Sequence, residues 1–124
     1  MIDRQPKVCN LCGGKVVWTD HPIKEGYKCY LCKECGAYVS VYKRRPKIAM
    51  GTLADEKTRQ KRIEVHRLFD RFWKKQTYRK RLYKRLAFQL GISEQECHFA
   101  RLDYPTLLKA EQILLKWWKE KYDI

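Results

Sequence analysis

Two periodicities divide the chain. Up to about residue 42, apolar positions come in short runs: K-V-V-W-T (15–19), G-Y-K-C-Y-L (26–31) and A-Y-V-S-V-Y (37–42). They are rich in β-branched and aromatic residues, which predicts short strands. Gly13-Gly14, D-H-P (20–22) and Gly36 supply the turns between them. Residues 43–51, K-R-R-P-K-I-A-M-G, predict a basic connector.

From Thr52 onward the period becomes helical. Thr52 and Asp55 have the T-x-x-D form of a capping box, so a first helix is expected from Thr52. Ile63, Val65, Leu68, Phe69, Phe72 and Trp73 form its apolar stripe, opposite a face of Lys and Arg. A second helix is expected from Thr77, as N-cap, to Leu90, with Gly91 just beyond its end and Tyr78, Leu82, Leu86 and Leu90 as its apolar positions. S-E-Q-E (93–96) reads as the capping box of a short helix holding Cys97 and His98. Asp103 or Tyr104 caps a last helix, with Pro105 in its first turn. Leu107, Leu108, Leu114, Leu115, Trp117 and Trp118 are its expected buried side. Its lysines and paired tryptophans also fit a membrane-surface helix, but Glu111 and Glu120 interrupt the basic face, and a bundle element is the better reading.

The expected fold is α+β: an N-terminal four-cysteine ribbon of short antiparallel strands packed against about four helices. The ribbon is placed at 1–46 and the basic helical region at 47–124, packed as one unit. A chain of 124 residues buries a modest core, so a metal staple is worth much to it.

The cysteines supply such a staple. C-N-L-C-G-G (9–14) and C-K-E-C-G-A (32–37) are both C-x-x-C-G knuckles, in an overall C-x2-C-x19-C-x2-C pattern. This is the spacing of a four-thiolate zinc site. Cys29 and Cys32 make a competing pair, but Lys33 follows it where a knuckle needs glycine. Cys9, Cys12, Cys32 and Cys35 are therefore the expected ligands of one structural zinc ion. Cys29 is expected to be a small buried strand residue, sharing a face with Tyr27 and Leu31. The N-terminal M-I-D-R-Q-P-K lacks an apolar leader segment, and a reducing cytoplasm, where paired cysteines hold metal, is the expected compartment.

Four thiolates close the coordination sphere, so the metal is not expected to act on a substrate. No nucleophile elbow, phosphate-cradling glycine loop or H-E-x-x-H stands in the sequence. His66 and Asp70, four residues apart, are read as a structural hydrogen bond, and His21 as an exposed turn residue. The protein is expected not to be an enzyme and to have no small-molecule substrate or membrane.

Charge changes the picture more. Lys and Arg number 28 against 14 Asp and Glu, a net charge of +14. Residues 1–54 carry +6, residues 55–85 carry +9, and the remainder −1. Such an excess points to a polyanion or an acidic protein face as partner. The candidate contact residues are Lys43, Arg44, Arg45, Arg59, Arg62, Lys74, Lys75, Arg79, Arg81, Lys84 and Arg85. Trp18, Tyr38 and Tyr42 are candidates for base stacking, and Lys47 for a further phosphate contact.

The chain resembles the small zinc-finger-containing proteins encoded by bacteriophages and prophages. The resemblance rests on C-x-x-C-G (9–13), Y-L-C-K-E-C-G-A-Y-V (30–39), G-T-L-A-D (51–55) with H-x-x-F-D-x-x-W (66–73), and L-G-I-S-E-Q-E-C-H (90–98). It implies a phage-type binding protein in the cytoplasm of a bacterial host. Some zinc-containing examples look like anti-CRISPR inhibitors, which implies direct binding to an RNA-guided type II DNA nuclease, or another defence protein, hindering DNA loading. The resemblance puts that inhibitor first. The residues alone put a basic zinc-ribbon protein that binds DNA or RNA first, and the resemblance implies a place for it in phage transcription or replication.

Overall fold

The computed structural model describes residues 4–122, so the first three residues of M-I-D-R-Q-P-K lie outside it. Its element order is four strands and then three α-helices. The chain divides into two compact units between Lys57 and Thr58.

The first unit is an antiparallel sheet of β1 (Val16–Asp20), β2 (Lys28–Cys32), β3 (Tyr38–Tyr42) and β4 (Arg45–Ala49), in that spatial order. The three expected strands form, with Val16 opposite Cys32 and Tyr30 opposite Val39. The expected connector 43–51 is different. Tyr42 pairs with Arg45 across a two-residue turn at Lys43-Arg44, and the basic stretch becomes β4. Pro46 is tolerated because β4 is an edge strand, where a missing N–H breaks no ladder. The register slips between Val41 and Tyr42. One face buries Val16, Tyr30, Ala37, Val39, Val41, Ala49 and Leu53 together with Cys9 and Cys32. Cys29 is fully buried and outside that cluster, and its thiol points at the Asp20 carbonyl, 3.6 Å away. Tyr27, expected beside it, precedes β2 and is exposed.

The second unit holds most of α1 (Glu56–Asp70), with α2 (Gln76–Leu90), one 3-10 turn at Phe99–Arg101 and α3 (Tyr104–Tyr122). α1 begins four residues after the expected cap at Thr52. Ala54 is held instead by a backbone bridge to Tyr38, which keeps Gly51–Asp55 out of the helix. α2 starts after Lys75, which makes no side-chain cap, rather than at Thr77. Its end is as expected. Gly91 sits at φ 72°, its N–H reaches Phe88 O, and Ile92 N–H reaches Ala87 O. That pair of bonds is a Schellman stop, which needs a left-handed residue. The Ser93–Glu96 box forms, with Ser93 Oγ bonded to both the side chain and the N–H of Glu96, but it closes a turn rather than a helix. Asp103 caps α3 by accepting from Thr106 N–H at 2.9 Å.

The core of this unit is Val65, Phe69, Phe72, Leu82, Leu86, Ala87, Cys97, Phe99, Leu102, Leu107, Ala110, Leu114 and Trp117. The expected stripes were too wide. Ile63, Tyr78, Leu108 and Leu115 are exposed, and Ala87 and Ala110 are buried instead. A helix turns 100° per residue, so the second member of each Leu-Leu pair points away from the seam its neighbour fills. Lys61 bridges Glu64 of its own helix and Glu111 of α3, at 2.9 and 3.2 Å. These carboxylates, Glu64 first, raise its pKa. Trp117 Nε1 donates to Gln89 Oε1 at 3.1 Å, tying α3 to α2. Among the described residues no helix is long and apolar enough to cross a membrane.

Candidate metal centre and cationic surface

The two knuckles have one backbone design. Cys9 N–H donates to Gly14 O and Gly13 N–H to Cys9 O; Cys32 N–H donates to Ala37 O and Gly36 N–H to Cys32 O. Each loop therefore closes on its own first cysteine, and each places its glycine in the left-handed region, Gly13 at φ 78° and Gly36 at φ 80°. A Cβ there strains the turn. Gly14 is required for a different reason: a Cβ on it would stand 3.0 Å from Cys32 Sγ and 2.8 Å from Glu34 Oε2.

This geometry gathers four sulfurs. Sγ atoms of Cys9, Cys12, Cys32 and Cys35 all lie within 4.8 Å of one another. Cys9–Cys35 is 3.7 Å and Cys12–Cys32 is 3.4 Å. Four thiolates at zinc bonding distance on a tetrahedron lie about 3.8 Å apart. Backbone N–H groups face the sulfurs: Leu11 to Cys9 at 3.4 Å, Gly14 to Cys12 at 3.3 Å and Cys35 to Cys32 at 3.5 Å. Such donors stabilise thiolate and orient it. The Cys35 N–H leads in drawing the Cys32 thiol down to about 7. Cys12 is pulled down by Gly14 N–H, yet proton sharing with Cys32 and Cys35 pushes it up to about 12. The set titrates as a unit, and a cation that replaces its protons relieves that competition. Cys9 and Cys32 are buried, and Cys12 and Cys35 lie at the surface.

The sequence profile of the zinc-finger-containing domain matches residues 5–117. The chain belongs to this family. No curated protein and no solved structure matches it. For a zinc-finger-containing domain the donor set fits: four cysteines, no other ligand type, placed to bind one zinc ion with no position left open.

The wider motifs of this zinc-finger-containing chain are structural as well. Asn10, inside the first knuckle, grips the Leu53 peptide from both sides: Leu53 N–H donates to its Oδ1 and its Nδ2 donates to Leu53 O, both at 3.0 Å. Leu53 is buried beside the ligands Cys9 and Cys32. G-T-L-A-D is thus the strap that holds the first knuckle to the sheet. Asn10 was missed because an asparagine between two cysteines looks like filler; its partner is 43 residues away.

His21 is not the free turn residue expected. Its Nδ1 accepts from the N–H groups of Ile23 and Lys24, which leaves Nε2–H to meet Ser40 Oγ at 3.1 Å. His66 and Asp70 are paired at 2.9 Å, with Asp70 also accepting from Trp73 Nε1 and His66 edge-on to Phe99. Cys97 lies in the helical core, where burial pushes its thiol up to about 11. Among the described residues the only metal-ready group is the four-cysteine set.

The candidate contact cations divide three ways. Lys43, Arg44 and Arg45 lie at the β3–β4 turn, Arg45 over the Tyr42 ring. Arg59 and Arg62 lie on α1, and Arg62 Nε is committed to Leu102 O at 3.1 Å. The other six run from the α1–α2 loop along α2. Of these, Arg79 stacks on Tyr83 and Trp73, and Arg85 on Trp117. Lys74, Lys75, Arg81, Lys84 and Arg85 are exposed, as is Lys80 beside them on α2. The expected stacking residues are occupied: Trp18 carries Lys47 at 3.5 Å and Lys28 at 5.0 Å over its ring and bonds to Pro46 O, and Tyr38 is buried.

Proposed function

We propose that this zinc-binding protein is a non-enzymatic nucleic-acid-binding protein. The zinc ribbon is its rigid structural module, and the cations of the α1–α2 loop and α2 are its phosphate-contacting surface. One observation carries the reading. Between Asp70 and Glu94 there is no carboxylate, while eight Lys and Arg side chains occupy residues 71–85. Lys74, Lys75, Lys80, Arg81 and Lys84 are exposed, and their side chains hold no ion pair or hydrogen bond among the described residues. A solvated helix face normally interleaves both signs. A run of one sign repels itself unless a polyanion neutralises it.

Fluorescence anisotropy with labelled oligonucleotides over a salt series tests this. Binding is expected to weaken steeply, with log K falling by about 0.7–0.9 per phosphate contacted for each unit of log salt. The triple substitution Lys80→Gln, Arg81→Gln, Lys84→Gln is expected to flatten that slope. Affinity indifferent to salt, or absent, defeats the proposal. The inhibitor reading implied by the phage-protein resemblance uses the same cations. A nuclease of a bacterial host that stays bound after all nucleic acid is digested would move the assignment to it.

A further inference from the structure

The aromatic side chains offered by the cationic surface define what kind of nucleic acid it takes. A cavity of about 350 Å³ opens between the α1–α2 loop and Lys121 of α3. Its lining includes Trp73 and Tyr78 together with Arg71, Lys74 and Lys75. Tyr78 is 48% exposed and outside the core. Trp73 is held in place by its Nε1 bond to Asp70. Its volume falls at the lower end of ligand sites, on the scale of one base rather than an extended ligand. At the other end of α2, Phe88 is 86% exposed. It stands four residues from Lys84, three from Arg85 and seven from Arg81, so it lies on the cationic face.

A duplex uses neither feature, because its bases are stacked on one another and offer no free face. Lysines alone suffice for its phosphates. An exposed phenylalanine among three cations, and a cavity lined by aromatic rings and three more cations, fit unstacked bases joined by phosphates. Ten residues separate Tyr78 from Phe88, about 15 Å along the helix axis. Even at the stacked rise of about 3.4 Å per nucleotide roughly four nucleotides cover that, and an unstacked, more extended strand needs fewer.

We propose that α2 is a single-stranded nucleic-acid track, with one base seated in the Trp73–Tyr78 cavity, another stacked on Phe88, and the intervening phosphates on Arg81 and Lys84. The inference rests on the nucleic-acid reading above and sharpens it from charge to strandedness.

The test compares a twelve-nucleotide dT strand, the matching rU strand and a twelve-base-pair duplex on the full chain. The single strands are expected to bind more tightly than the duplex at equal salt, and the dT and rU arms assign the sugar. Tyr78→Ala and Phe88→Ala are each expected to weaken single-strand binding by about 5- to 150-fold. Duplex affinity and melting temperature should stay unchanged, because neither ring lies in the core, and Tyr78→Phe should restore binding. Lys84→Gln is expected to weaken strand and duplex alike. If the duplex binds as tightly as the strands, or if both alanine variants bind dT normally while Lys84→Gln does not, the base-seating track is overturned and the phosphate surface stands. If no probe binds, the nucleic-acid reading itself fails.

Discussion

The two units of this chain are built on opposite principles. The ribbon buries one sheet face of medium and small side chains, with Tyr30 its largest member, and two of its buried positions are the metal ligands Cys9 and Cys32. The helical unit buries Phe69, Phe72, Phe99, Trp117 and five leucines in one cluster, beside a single cysteine. A cluster like the first cannot offset the entropy of ordering its loops. The second has the apolar area of an ordinary small domain. Metal stands in the ribbon where aromatic packing stands in the helices, and each unit should fail by its own route.

The largest expected effect is on the ribbon. Structural zinc contributes on the order of 10 kcal/mol to such modules. Chelation, or Cys12→Ser, is expected to abolish the protection of amides in β1–β4 from hydrogen exchange. The helical far-UV circular dichroism should stay largely in place. Equal loss in both units would mean that the division at Lys57 is not a division of stability.

Phe69→Ala reverses the experiment. Phe69 is fully buried against Tyr83 and Phe99, at 4.4 and 5.4 Å between ring centres. Its loss is expected to cost about 3–5 kcal/mol, read as a drop in the urea midpoint of the helical transition. Zinc stoichiometry should remain one per chain.

Gly14→Ala sharpens the metal side. The added methyl presses on Cys32 Sγ and the Glu34 side chain. Zinc affinity is expected to fall by about 10- to 100-fold in a chelator competition, as for lost outer support of a ligand. Retained affinity would show that the knuckle shifts to admit it.

The smallest effect is at the α3 cap. The side chain and N–H of Thr106 hold Asp103 below its ordinary carboxylate value of 3.8. A folded pKa below the unfolded one gives stability that is present above the unfolded value and lost as pH falls through the folded one. Helical stability should thus decline as pH drops below about 4, and Asp103→Ala should remove that part of the decline at a cost of about 1 kcal/mol at neutral pH. An unaltered pH profile in the variant would assign the decline to other carboxylates.

Most of this architecture can be read from local signals. C-x-x-C-G fixes a knuckle because thiolate reach and a left-handed glycine are properties of five consecutive residues. Gly91 stops α2 for the same kind of reason. The start of α1 could not be read so. T-x-x-D at Thr52 is a sound local cap, but the peptide of Ala54 belongs to Tyr38 and that of Leu53 to Asn10. Those partners lie 16 and 43 residues away, and no window of sequence contains them. K-R-R-P-K reads as a connector because charge and proline disfavour a strand. Only an edge position beside β3 makes both harmless.

The sequence by itself determined the zinc ligands, the α+β order of elements and the sign and location of the charge. Each follows from residue chemistry at short spacing or from simple summation. The tertiary structure decided which charges and rings are free to act. Arg62, Arg79, Arg85 and Trp18 equal Arg81, Lys84 and Phe88 in type, yet the first four are held by hydrogen bonds or ring contacts within the fold and the last three are exposed without them. Exposure is a property of what else the chain brings nearby, and that is settled only when distant segments meet.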